Sequence, residues 1–105
     1  MTSHVLDTTR GLPAVGVEVR LERMTAVGPA EIARARTDDD GRVRELGPAA
    51  LQPGTYRLVF DTGGYFGGRT FFPEVTVTFR LDGDSGHHHV PLLLSPHAYT
   101  TYRGS

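Results

Sequence analysis

Val17-Glu18-Val19-Arg20-Leu21-Glu22 decides the fold class. Apolar side chains fall on every second residue with charged ones between them, so an extended chain presents one apolar face and one charged face. A helix would scatter the same residues around its axis. The pattern returns in Tyr56, Leu58 and Phe60, with Arg57 and Val59 opposite, and in Val75, Val77 and Phe79, which alternate with Thr76, Thr78 and Arg80. Between these runs stand turn signals: Gly11-Leu12-Pro13, Gly28-Pro29, Asp38-Asp39-Asp40-Gly41, Gly47-Pro48, Pro53-Gly54 and Asp82-Gly83-Asp84-Ser85-Gly86. Short alternating strands separated by such turns predict an all-β sandwich.

The strands are expected near Ser3–Asp7, Gly16–Arg23, Ala30–Thr37, Gly41–Arg44, Gly54–Thr62, Pro73–Leu81, His87–Leu94 and Ala98–Tyr102. No stretch carries a convincing helical pattern. Asp61–Arg69 is the one candidate, with Asp61 or Thr62 able to cap a single turn. Gly63, Gly64, Gly67 and Gly68 keep any helix there short. With 105 residues and no linker, repeat or low-complexity segment, residues 1–105 read as a single domain.

Composition excludes several chemistries. All 11 basic residues are Arg, so a Schiff-base lysine is ruled out. Cys is absent, which removes disulfides, thiolate nucleophiles and Cys-based metal sites. A formal net charge of −1 argues against binding nucleic acid or anionic membrane by bulk charge. No apolar run is long enough to span a membrane as a helix, and Met1–Asp7 lacks the basic and apolar regions of a secretory signal, so a cytoplasmic protein is expected. A domain of this size buries only about two-thirds of its unfolded surface. An enzyme built on it would place its site on the surface or share it with a partner.

For acid–base chemistry near pH 7 there remain five His residues, three of them adjacent in His87-His88-His89. On a strand His87 and His89 share one face, while His88 lies on the other, which continues as core through Val90, Leu92 and Leu94. His88 therefore starts the core side at a strand end or sits at the rim. The His-x-His pair suits two metal ligands and equally suits a solvent-facing general base. It can also be a polar strand start with no role. His4 shares a face with Leu6, opposite Val5, and a lone strand histidine is more often structural than catalytic. Arg42 leaves an Asp-Gly turn, where it is either solvated or holds an anionic or carbonyl-rich ligand with its planar fork. The tail Tyr99-Thr100-Thr101-Tyr102-Arg103-Gly104-Ser105 keeps a two-residue alternation, which predicts a docked final strand that gives Arg103 and Ser105 definite positions.

Several segments together match a known family. They are Ser3-His4-Val5-Leu6-Asp7 with Gly11, Pro13 and Ala14; Thr37 with Asp40-Gly41-Arg42; and Pro53-Gly54 with Tyr56. Phe72-Pro73-Glu74-Val75, His87 with His89-Val90-Pro91-Leu92-Leu93-Leu94-Ser95-Pro96, and Tyr102-Arg103-Gly104-Ser105 complete the match. The sequence resembles the 5-hydroxyisourate hydrolases, the transthyretin-related enzymes of urate breakdown. The closing tetrapeptide is the specific part, because binding-only transthyretins resemble the rest without it. In the family pattern the first and third His of His87–His89 recur, and His88 holds a variable, often aromatic place. Tyr65–Phe72 is several residues shorter than in typical members, which implies a trimmed helix. His97-Ala98 replaces a common aromatic–glycine-like pair, and His97 receives no catalytic role.

The resemblance implies a transthyretin-like, eight-stranded β-sandwich with at most one short helix. It implies a homotetramer, a dimer of dimers with sites in the grooves between dimers. The implied reaction uses neither metal nor cofactor and opens the six-membered ring of 5-hydroxyisourate to 2-oxo-4-hydroxy-4-carboxy-5-ureidoimidazoline. The family's catalytic positions fall on His4, Arg42, His89 and Ser105, and substrate contacts fall on Arg42, His87, Tyr102, Arg103 and Gly104. In that reading His4 and His89 share the water and proton chemistry, Arg42 stabilises the oxyanion, and Ser105 orients water or substrate. The alternatives are a transthyretin-like small-ligand carrier without catalysis, a β-sandwich spacer module, and a His87/His89 metal site.

Overall fold

Period-two alternation becomes two sheets whose apolar faces meet. The computed structural model describes residues 1–83 and 86–105. Of the turn expected at Asp82–Gly86, Asp84 and Ser85 lie outside the described residues. In chain order the elements are β1 (Thr2–Asp7), β2 (Leu12–Pro13), β3 (Glu18–Thr25), β4 (Gly28–Arg36), β5 (Arg42–Val43) and β6 (Gly54–Phe60). They are followed by α1 (Thr62–Tyr65), β7 (Val75–Leu81), β8 (His89–Leu94) and β9 (Tyr99–Thr101).

One sheet runs β4-β3-β6-β7, antiparallel throughout, with Val19 opposite Phe60 and Leu21 opposite Leu58. The other runs β2-β1-β8-β9, with β5 also on β1. Val5, Val19, Leu21, Leu58, Phe60, Leu92 and Leu94 are all buried in the shared core. The outward residues of the first sheet carry charge. Arg34 bonds Glu18 and Glu31, each at 2.6 Å, and Arg57 bonds Glu22 at 3.0 Å. The exposed Arg34 pairs add little stability individually but keep that face in water, while Arg57 neutralises the buried Glu22.

The second sheet is organised around β1. Its parallel neighbour is β8, with Thr2 opposite His89 and His4 opposite Pro91. Its other edge is shared: β5 covers Ser3 and His4, and β2 covers Leu6 and Asp7. Alternation along β1 sends Ser3, Val5 and Asp7 inward and leaves Thr2, His4 and Leu6 half-exposed, as the period predicts. The buried polar groups on the inward side are all satisfied. Ser3 Oγ donates to the Val90 carbonyl at 2.7 Å, and the Asp7 carboxylate accepts from the Thr9 and Arg10 N–H groups and the Tyr65 hydroxyl.

Several strand expectations need adjustment, while the expected helical turn forms. A ninth strand, β2, consists of two residues, too few to show a period. The β3–β4 hairpin pairs Thr25 with Gly28, so its loop is Ala26-Val27 and Gly28-Pro29 starts β4. Pro29 is tolerated there because β4 is an edge strand. The segment expected to be a strand over Gly41–Arg44 pairs only at Arg42–Val43, and β8 begins at His89, leaving His87 and His88 in the segment before it. The helical turn forms as α1, four residues long, capped by the Asp61 carboxylate accepting from the Gly64 N–H at 3.0 Å.

Candidate active site

The turn that delivers Arg42 is built by Asp38. Its Oδ1 accepts from the backbone N–H groups of Asp40 at 2.9 Å and Arg42 at 3.0 Å, while its carbonyl accepts from Gly41. The Arg42 N–H, with help from Asp40 and Arg44, holds the Asp38 carboxyl below its ordinary range. Gly41 sits at φ +74°, and a Cβ there would lie 2.4 Å from the Val5 carbonyl oxygen. Only glycine meets both demands. The turn thereby docks on β1, with the Val5 N–H donating to the Gly41 carbonyl at 2.7 Å.

Docking brings Arg42 opposite His4 across the β1–β5 ladder. His4 Nε2 lies 2.9 Å from the Asp40 carbonyl, which can only accept, so Nε2 carries the hydrogen. Nδ1 of the neutral ring is then bare and able to take a proton. Turn, strand and imidazole orientation are thus one unit.

His89 enters from β8 on the other side of β1. Burial pushes its imidazole below the ordinary value of 6.5, and Arg42, His4 and His87 push the same way, against a hydrogen bond with the Thr2 backbone. A neutral ring at pH 7 follows, the form a general base needs. Its Nδ1 is 2.7 Å from Thr2 Oγ1, and His87 Nε2 is 3.0 Å from the same oxygen. Thr2, Arg42, His87, His89 and Ser105 line one surface cavity of about 270 Å³. That lies just below the roughly 300–1,000 Å³ usual for ligand sites.

The tail closes against His89. The Gly104 N–H donates to the His89 carbonyl at 2.8 Å, and the two residues form an isolated antiparallel bridge. The docked tail expected from its alternation is therefore present, and Ser105 reaches the cavity. Tyr102 and Arg103 do not reach it. They line a second cavity of about 310 Å³ with His88, Phe79 and Leu81, on the far side of His89. His88 accordingly sits at the rim of the core. His97 is exposed in the turn closed by Ser95, away from both cavities. Among the described residues no three His, Asp or Glu side chains are grouped as a metal site requires. Sequence alone gave Thr2 no role and Asp38 none beyond its place in the turn. Asp38 has a local signal, the Asp-x-x-Gly turn with its side chain bonding backbone two residues on. Thr2 has none until the β1–β8 pairing is known.

Comparison with known proteins adds the family. Residues 1–104 match the model of the HIUase/Transthyretin family. The chain belongs to that family. Among its relatives, the 5-hydroxyisourate hydrolase of Salmonella typhimurium is 47% identical over 109 residues, covering 100% of this chain and 80% of the relative. The structure of Klebsiella pneumoniae 5-hydroxyisourate hydrolase superposes with a TM-score of 0.87 at 34% identity, covering 99% of this chain and 97% of that one. Sparus aurata transthyretin superposes with a TM-score of 0.90 at 32% identity, covering 98% and 94%. A hydrolase and a transthyretin share this HIUase/Transthyretin sandwich, so the side chains on its outer face, not the sandwich, carry the distinction.

Proposed function

We propose that this chain, as one domain over residues 1–105, hydrolyses 5-hydroxyisourate in urate breakdown, with His4, Arg42, His89 and Ser105 as its catalytic set. The observation that carries the reading is the convergence of Arg42, His89 and Ser105 on one cavity, beside His4, in a chain whose full-length relatives are named 5-hydroxyisourate hydrolases. Water adds its oxygen to the ring carbonyl carbon while a bare imidazole nitrogen takes its proton. The carbonyl oxygen becomes an oxyanion beside the permanently charged Arg42 guanidinium, whose planar fork suits it. The carbon–nitrogen bond then breaks, and the ring nitrogen leaves with the proton that the imidazole returns. His4 and His89 share this proton traffic, and the Ser105 hydroxyl orients water or substrate. His87 supports the site through Thr2. Gly104 acts by seating the tail, and any substrate contact of Tyr102 and Arg103 is made from the second cavity.

The proposal includes a homotetramer, a dimer of dimers with sites in the groove between dimers. Its support is the contrast between the two outer faces. The β3 sheet shows mainly charge, with Ile32 of β4 also exposed, whereas the β1 sheet shows half-exposed Leu6 and Leu93 and exposed Leu12 along the same sheet as the polar cavity. A second copy over that face would wall the cavity and cover the leucines. The polar lining argues against the carrier reading, since an apolar ligand has little use for Arg42 and His89. No helix among the described residues is long and apolar enough to cross a membrane. We place the reaction in the cytoplasm, a placement that cell fractionation tests. The function itself is tested by ultraviolet absorbance of freshly generated 5-hydroxyisourate, which decays faster than the spontaneous rate when the protein is added. An unchanged decay points to the carrier.

A further inference from the structure

Thr2 joins two of the imidazoles at the site. Its Oγ1 lies 2.7 Å from His89 Nδ1 and 3.0 Å from His87 Nε2. The backbone holds it there: Thr2 pairs with His89 in the parallel ladder, and its N–H donates to the His88 carbonyl at 2.9 Å. We propose that Thr2 is a positioning residue that holds neutral His89 in the tautomer with a bare Nε2, with His87 at the far end of the same hydrogen-bond chain. This rests on the reading of His89 as a proton acceptor in the hydrolysis.

The count of protons supports it. A neutral imidazole has one N–H, and a threonine hydroxyl has one proton and two lone pairs. Nε2 of His89 can accept from water only if the ring hydrogen is on Nδ1, where it donates to Thr2 Oγ1. The hydroxyl proton is then available to His87 Nε2, which accepts it. Both contacts are satisfied and each proton has one place. The reverse arrangement, with Thr2 donating to Nδ1, puts the hydrogen on Nε2 and leaves neutral His89 a donor only. Gly104 covers another part of the ring, since a Cβ there would stand 2.4 Å from His89 Cδ2. With Nδ1 bonded and Cδ2 covered, the ring has little room to flip. The charged and titratable groups near it are Arg42 from β5, His4 from β1 and His87 from the preceding segment. The Thr2 backbone, which also hydrogen-bonds the ring, is kept in Thr2→Val and Thr2→Ser alike, so comparing the two reads the hydroxyl alone.

The test compares Thr2→Val, which keeps the shape and strand preference but loses the hydroxyl, with Thr2→Ser, which keeps the hydroxyl. Thr2→Val should lower kcat about 10–100-fold, the loss typical when the hydrogen-bond partner that orients a metal-binding imidazole is removed, with KM little changed. Thr2→Ser should stay close to wild type. Long-range ¹H–¹⁵N spectra should show neutral His89 with hydrogen on Nδ1 in wild type and Thr2→Ser, and a shift toward Nε2–H in Thr2→Val. Wild-type kcat in Thr2→Val overturns the proposal, as does a loss that Thr2→Ser shares, which would assign the effect to the methyl group. If Thr2→Val fails to fold, the wild-type spectrum decides, and Nε2–H in neutral His89 rejects the proposal. An active Thr2→Val beside an inactive His89→Gln rejects the role of Thr2 alone. An active His89→Gln rejects the reading of His89 beneath it.

Discussion

Replacing Gly104 by Ala adds one methyl group at the closest approach between the tail and His89. A Cβ at that position would lie 2.4 Å from His89 Cδ2, 3.1 Å from Cγ and 3.2 Å from the His89 carbonyl oxygen. Carbon atoms pack at about 3.5–4.0 Å, so the shortfall at Cδ2 is about 1 Å. Gly104 is not among the glycines at positive φ, so alanine suits the backbone and the penalty is purely steric. The contact is pinned from both sides. The tail is bonded through the Gly104 N–H at 2.8 Å, and the ring is bonded through Thr2 at 2.7 Å. Relief therefore requires the ring to leave Thr2 or the tail to lift Ser105 from the cavity. A displacement of about 1 Å in a reacting group costs about 10²-fold, so kcat/KM should fall by about that factor. The core is untouched, so the stability loss should be about that of one hydrogen bond, about 0.5–1.5 kcal/mol. The assay is the decay of 5-hydroxyisourate absorbance over a range of concentrations, paired with thermal melting. Wild-type kcat/KM in Gly104→Ala would rule out this tight contact between tail and ring, and so would a loss of activity that merely tracks unfolding.

Three other outcomes follow from the same geometry. His89→Gln should retain the melting curve while turnover drops about 10²–10⁴-fold, the usual worth of a general base. Because burial and Arg42 hold His89 below 6.5, the acid limb of the pH–rate profile should fall below that value, with activity full above it and lost as the ring protonates. Stability follows the same sign: the unfolded ring binds its proton first, so stability declines as pH drops below 6.5 and levels off beneath the folded value. A limb at or above 6.5 contradicts the environment described for His89. Gly41→Ala meets both a positive φ and the Val5 carbonyl, so it should cost about 1–3 kcal/mol. Thermal melting would show this as a drop of about 4–8 °C per kcal/mol.

Periodicity made the sandwich readable because one buried face enforces alternation residue by residue. Along β1 the alternation alone separates Ser3, Val5 and Asp7 from His4, and the sandwich turns the first set inward and His4 outward. It could not reveal β2, where two residues hold no period, nor the exact start of β8. The candidate site was readable in its residue types but not in its joints. His4 needs the Asp40 carbonyl, and Thr2 meets His89 only through a parallel pairing 87 positions apart in sequence. Local sequence carries no trace of such a pairing. Tyr102 and Arg103 show the converse. They adjoin Gly104 and Ser105 in the chain, yet β9 ends at Thr101 and both line the second cavity, a placement that residue alternation does not give.

The imidazoles on the outer face of β1 and β8 are the groups proposed to perform the hydrolysis. The direct measurement is the decay of 5-hydroxyisourate with wild type and with His4→Gln/His89→Gln, each shown by circular dichroism to be folded. Wild type should accelerate the decay, and the double variant should return it to the spontaneous rate. A folded double variant that accelerates the decay as well as wild type would contradict that assignment.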